Sequence, residues 1–290
     1  MADPIKTDAP DHVANADEGT PHYGAGDLVA RVEDALRLAG LGDGMIPWDA
    51  LAPLDQFHVG GAAATTALAA RLGIGPGARL LDIGCGLGGP ARHLASVHGC
   101  LVTGVDLSRP FIDLATMLTE RTRLPQQVRF RVGDATRLPA EPERFDFAWM
   151  QHVAMNIADR RGLYSGIRAV LRPGGRLAIY DVIAGERGPL QFPVPWARDP
   201  ADSFLASAEA TREALEAAGF AIIDWADVTD TGLKWIEAQA TAGRNRPDHL
   251  KALALPLVMG PDFPVMAANL GRNLRERRVR LLQAVAERPS

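Results

Sequence analysis

An α/β fold, with a parallel sheet covered by helices on both faces, is predicted by two observations. From Ala78 onward, five short apolar runs follow one another: "ARLLDIG", "CLVTGVD", "QVRFRVGD", "RFDFAWMQ" and "GRLAIYDVI". Each has the length of a strand. Amphipathic patterns at about 90–98, 110–121 and 159–171 separate them, and strands alternating with helices imply a parallel sheet buried on both sides.

The remaining elements fall before and after this series. Residues 1–24 are rich in Asp, Ala, Pro and Gly without periodicity and are expected to form a flexible tail. Leu28, Val32, Leu36 and Leu38 are spaced as on an amphipathic helix, and a second helix is expected from about Gly60 to Leu72, ended by Gly73 and Pro76. Together 25–77 read as an N-terminal helical cap, and 78–290 as the main domain. Past Ile183, "GERGPLQFPVPWARDPADSF" is a Pro-rich loop, long enough to reach over a site. "AEATREALEAAGF" then reads as a helix and "AIIDWADV" as a strand. Residues 232–278 look mostly helical, interrupted by "GPDFP". "VRLLQAVAE" fits helix or strand; strand is preferred, because a sheet edge needs a partner.

Composition narrows the function. The chain is 47% hydrophobic with a formal charge of -4, so nucleic acid is not expected as a partner. The tail carries that charge, through Asp3, Asp8, Asp11, Asp17 and Glu18 against Lys6. No basic region followed by an apolar run opens the chain and no stretch approaches a membrane span, so a cytoplasmic protein without membrane attachment is expected. The two cysteines, Cys85 and Cys100, suggest neither a disulfide framework nor a zinc site. No His, Asp and Glu spacing suggests a metal.

The stretch "LLDIGCGLGGPARHLA" carries the chemistry. Gly84, Gly86 and Gly89 spell a dinucleotide fingerprint, while Asp82, Gly84, Gly86 and Gly88 spell a loop that holds S-adenosylmethionine. Asp106 closes the second strand, where a carboxylate takes the hydroxyls of a ribose; both ligands have one. The choice rests on "VGDA", whose Asp134 and Ala135 end the third strand where an adenine would lie, and on "VLRPGGRLAIYD" at the far side of the sheet. No second glycine fingerprint exists for a nicotinamide half.

In this order, "LLDIGCGLGG", Asp106, "GDA" and "LRPGG" resemble the class I S-adenosylmethionine-dependent methyltransferases. The stretches "DQFHVGGAAAT", "MQHVAMNIADR" and "FPVPWARDPADSF" are similar to small-molecule methyltransferases of the sarcosine/dimethylglycine and tocopherol type. The resemblance implies a Rossmann-like seven-stranded sheet of order 3-2-1-4-5-7-6 with the last strand antiparallel, and lid insertions at 183–219 and 232–278. It also implies S-adenosylmethionine as cofactor, S-adenosylhomocysteine as product, and a small-molecule acceptor with a nitrogen, oxygen or carbon nucleophile. Asp82, Gly84, Cys85, Gly86, Asp106, Leu107, Asp134, Ala135 and Gln151 would then contact the cofactor. A protein that binds the cofactor but catalyses another reaction, such as a cyclisation, is the alternative. The oligomeric state stays open, a homodimer included.

Methyl transfer is an in-line displacement, so much of the catalysis can come from positioning. Where the acceptor carries a proton, a base must take it. His152, just past the fourth strand, is the candidate, as base, as orienting group, or as a structural histidine. His58 lines the cofactor cavity or bonds a helix start. Tyr23 and Trp196 are lid candidates whose rings could face a cation, with core packing the alternative for Trp196. Asn156 could bond the acceptor. Arg272, Arg275, Arg277, Arg278 and Arg280 read as a solvated helix face, and His93, His98 and His249 as surface positions.

Overall fold

The computed structural model describes residues 28–138, 144–244 and 247–290. The expected tail, and Tyr23 with it, lies outside the described residues.

Seven strands form one sheet: β1 (Arg79–Ile83), β2 (Leu101–Asp106), β3 (Val128–Val132), β4 (Phe145–Gln151), β5 (Leu171–Ala184), β6 (Ala221–Asp227) and β7 (Val279–Glu287). Their order is β3-β2-β1-β4-β5-β7-β6. Strands β1 to β5 run parallel, and β7 runs antiparallel between β5 and β6. Neighbouring residues feed opposite faces. Leu80, Trp149, Tyr180 and Val285 enter one core, while Leu81, Met150, Ile179 and Ala284 enter the other.

The helices are α1 (Leu28–Leu38), α2 (Ala52–Asp55), α3 (Gly61–Ala69), α4 (Gly89–His98), α5 (Arg109–Arg121), α6 (Arg160–Val170), α7 (Ala208–Ala217), α8 (Thr229–Arg244), α9 (Asp248–Lys251), α10 (Pro256–Met259) and α11 (Phe263–Arg275). Leu68 of α3, Leu94 of α4 and Leu274 of α11 cover the first face. Leu163 and Ile167 of α6 and Leu215 of α7 cover the second. A third core ties α1 and α2 to α5 through Val32, Leu36, Leu54, Leu114 and Leu118. Side chains of Ser108, Asp159 and Ser207 accept from the first turns of α5, α6 and α7, giving otherwise orphaned amides a partner.

Three details depart from expectation. The Pro-Gly-Gly turn lies inside β5 as a bulge: Leu171 faces Phe145 and Arg176 faces Phe147, with 172–175 looped out. The chain enters α3 through α2 and a helical turn at Trp48–Leu51, neither of them anticipated. His93 is buried, not a surface position; it sits on the inner side of α4 and its Nε2 lies 3.1 Å from the Thr66 hydroxyl. Among the described residues no helix is long and apolar enough to cross a membrane.

Candidate active site

The carboxyl ends of β1, β2, β4 and β5 converge on one region, where open α/β sheets place their ligands. The turn after β1 is pinned to β2, because the amides of Gly84 and Cys85 both donate to the Val105 carbonyl, at 2.8 and 3.1 Å. Gly84 has φ +65°, and a Cβ there would lie 2.5 Å from Val153. Glycine is therefore required for both conformation and space. Cys85 is buried, and burial pushes its thiol well above the usual range.

Acidic groups surround this turn. Asp106 accepts from the Gly86 amide at 2.9 Å and from the Ser108 amide at 2.9 Å. Burial raises its pKa against the opposing effect of these bonds. Asp82 is buried, with Oδ2 lacking a partner; burial and then the Asp106 charge push its pKa well up. Leu107 is 56% exposed beside them. Asp134 is turned into its own loop, accepting from the Thr136 amide at 2.8 Å, the Thr136 hydroxyl at 2.7 Å and Arg137 Nε at 2.9 Å. Partial burial raises its pKa, but these bonds outweigh it and bring the carboxyl below its ordinary value. Ala135 opens the following helical turn and packs against the second core.

Past β4, Gln151 is buried. Its Oε1 accepts from Trp149 Nε1 at 2.8 Å and from the Thr65 hydroxyl at 3.2 Å, and its Nε2 lacks a partner. His152 follows with φ +54° and its amide donates to the Tyr180 carbonyl at 2.7 Å. Its ring lies 5.0 Å from Tyr180 and 6.1 Å from His58, centroid to centroid, and its buried Nε2 has no partner. Burial, with His58 nearby, holds its pKa well below the ordinary imidazole value. His58 is buried, and burial lowers it to about 4.

A methyltransferase domain model matches residues 81–179. O-methyltransferase rstn1 of Aspergillus nomiae is 32% identical over 189 residues, which cover 63% of this chain and 82% of that protein. The chain belongs to the class I S-adenosylmethionine-dependent methyltransferases. Methyltransferase GfsG of Streptomyces halstedii is 35% identical over 136 residues, covering 47% of this chain and 49% of that one. The chain spans 30% to 60% of the length of the first three curated relatives it matches. Among solved structures, phosphoethanolamine N-methyltransferase 2 of Haemonchus contortus has the same fold, with TM-score 0.69, 20% identity, and coverage of 92% of this chain and 61% of that one. The [4+2]-cyclase SpnF superposes with TM-score 0.64 at 25% identity, covering 91% and 94%.

The site fits the family's cofactor. Asp82 Oδ2 and Gln151 Nε2 are buried orphans of opposite sense, an acceptor and a donor, and an amino acid's ammonium and carboxylate are the matching pair. The other singled-out residues have partners of their own. Trp196 is buried in the first core, with its indole N–H donating to the Ser203 hydroxyl at 2.9 Å. Asn156 donates to the Val153 carbonyl at 3.3 Å. Arg277 pairs with Asp230, Arg278 with Glu276 and Arg280 with Glu186.

Four contributors carried no sequence signal. Arg92 and Asp55 form a buried ion pair at 2.8 Å. Thr65 reaches Gln151 from the helix before the sheet. Asp181, inside the quoted "AIYD", accepts from the Ala154 amide at 2.8 Å and so holds the loop bearing His152.

Proposed function

We propose that the protein transfers the methyl group of S-adenosylmethionine to a hydroxyl of an uncharged small molecule. The carrying observation is the unpartnered His152 Nε2 beside the glycine turn, in a group with His58 and Tyr180. Burial keeps both imidazoles neutral at pH 7 and raises the Tyr180 phenol further. Such surroundings favour a neutral acceptor, since an unpaired charge is costly to bury. Relatives named as O-methyltransferases support oxygen as the nucleophile.

The bound cofactor would supply an activated methyl on a sulfonium. Asp82 and Gln151 would hold its amino-acid end, Asp106 its ribose, and Leu107, Asp134 and Ala135 its adenine. His152 accepts the acceptor's proton as the hydroxyl oxygen attacks. The bound cofactor's sulfonium would disfavour a second positive charge nearby, which would keep the His152 imidazole a free base before the transfer. The segments 25–77, 183–219 and 232–278 would wall the acceptor pocket as cap and lid. The same reading places the protein in the cytoplasm, in small-molecule biosynthesis, without nucleic acid as a partner.

The SpnF likeness keeps one second reading, a cyclisation in which the cofactor is bound and the methyl is retained. The test is incubation with methyl-labelled S-adenosylmethionine and a panel of phenols and alcohols, followed by mass spectrometry. Label in the product, with release of S-adenosylhomocysteine, supports methyl transfer. A converted substrate of unchanged mass supports the second reading. Calorimetry in which NAD binds and S-adenosylhomocysteine does not would overturn both.

A further inference from the structure

We infer that Thr65 is a positioning residue, which fixes the Gln151 side-chain amide so that its N–H groups meet a carboxylate of the bound cofactor. The inference rests on the cofactor reading above. Gln151 belongs to a buried hydrogen-bond chain with Thr65, His58 and Trp149.

His58 Nε2 lies 3.0 Å from the Gly61 carbonyl oxygen. A carbonyl can only accept, so this nitrogen carries the proton. The same nitrogen lies 3.1 Å from Thr65 Oγ1 and can only donate to it as well. The single hydroxyl proton of Thr65 is thereby left for Gln151 Oε1, 3.2 Å away. At the other end, Trp149 Nε1–H is a donor without acceptor capacity, and it lies 2.8 Å from the same Oε1.

Both lone-pair directions of that oxygen are therefore filled, and the orientation of the amide follows from chemistry alone. Reversing it would set the NH2 group against the Trp149 N–H, which can only donate. The amide nitrogen, with both protons, is buried and has no partner. Thr65, Trp149 and Gln151 are all buried, so water does not readily relax the arrangement. Gln151 ends β4 just past Met150, which pairs with Ile83 at the end of β1. Gln151 accordingly stands beside the end of the strand that leads into the glycine turn. Within S-adenosylhomocysteine, the carboxylate is the anionic acceptor such a donor would meet.

The experiment compares Thr65→Val and Thr65→Ser with the wild type by calorimetry, using S-adenosylhomocysteine and 5′-methylthioadenosine, which lacks the amino-acid carboxylate. Thr65→Val removes one orienting bond at nearly constant volume and should weaken S-adenosylhomocysteine binding about tenfold. Thr65→Ser should restore it, and methylthioadenosine affinity should not change. A general distortion of the site would weaken both ligands alike and overturn the inference, as would unchanged S-adenosylhomocysteine affinity in Thr65→Val. Should Thr65→Val fail to fold, the Gln151 side-chain amide resonances of the wild type provide the readout, assigned against Gln151→Leu. They should shift on addition of S-adenosylhomocysteine and stay in place with methylthioadenosine; any other pattern overturns the inference. Failure of the cofactor reading looks different, because the wild type itself would then bind neither ligand.

Discussion

The Arg92 guanidinium meets the Asp55 carboxylate at 2.8 Å, with both side chains almost wholly out of water. Asp55 ends the short helix before the sheet, and Arg92 stands in the first helix after the glycine turn. The same guanidinium donates to the Leu87 carbonyl at 2.6 Å, the Ala115 carbonyl at 3.2 Å and the Thr119 hydroxyl at 3.0 Å. One cation therefore joins the N-terminal segment, the glycine turn and α5. Burial raises the Asp55 pKa, and Arg92 opposes that rise.

Removing either partner should leave the other charge buried and unpaired. Asp55→Asn and Arg92→Met should each destabilise the protein by about 3–5 kcal/mol in urea denaturation. The double variant Asp55→Leu/Arg92→Met should cost less than the sum of the single ones. Single-variant losses under about 1 kcal/mol would show that the pair is peripheral to stability.

Two left-handed glycines separate space from conformation. Gly174 has φ +72° with nothing within 4 Å of a Cβ, whereas a Cβ at Gly84 would overlap Val153. Gly174→Ala should cost only the left-handed strain, about 1–2 kcal/mol, and leave S-adenosylhomocysteine affinity intact. Gly84→Ala should lose more stability and most of the affinity, and adding Val153→Ala should recover part of both. Equal effects at the two glycines, by thermal unfolding and calorimetry, would contradict this assignment.

What was legible in the sequence follows from the range of each interaction. The five parallel strands and their helices announce themselves through local periodicity, and Asp82 and Asp106 through their spacing from the glycines. β7 is buried on both faces, which erases the alternation that marks a strand; the need of a sheet edge for a partner, not its own pattern, favours a strand there. Thr65 and Gln151 are 86 residues apart, and Asp55 and Arg92 37 apart, so no local pattern joins them. His93 misled because a buried histidine and an exposed one look alike on a short helix. Trp196 carried two readings, and the structure gives it a hydrogen bond inside the core.

The pH response of stability should report on Asp181 and His93 with opposite signs. Burial raises the Asp181 pKa to about 7 from 3.8, against Arg160 and its backbone hydrogen bonds. Between these values the folded state holds a proton that the unfolded state has lost. This contribution is complete below the lower value and vanishes as pH rises through the upper one. Relative to the wild type, Asp181→Asn should thus gain urea resistance from about pH 4 to pH 7 and then level off. Burial, aided by His98, lowers His93 to about 4 from 6.5. Here the unfolded state binds the extra proton, so the wild type should gain on His93→Gln from about pH 4 to pH 6.5. A pH-independent difference for either variant would sink its assignment.

His152 combines a left-handed backbone with a buried, unpartnered nitrogen, so its replacement must distinguish strain from chemistry. Asn tolerates φ near +54° better than Ala does and has no imidazole. His152→Asn should therefore keep stability close to the wild type while turnover falls roughly 100- to 10,000-fold, the usual contribution of a general base. S-adenosylhomocysteine affinity should stay within about twofold, because Asp82, Asp106 and Gln151 are untouched. His152→Ala should show the same loss of turnover plus a destabilisation below about 1 kcal/mol, since His152 itself already bears most of the left-handed strain. The decisive measurement is turnover of the Asn variant once a labelled product is in hand. A rate equal to the wild type would return His152 to a structural role, with its amide-to-Tyr180 hydrogen bond as its function.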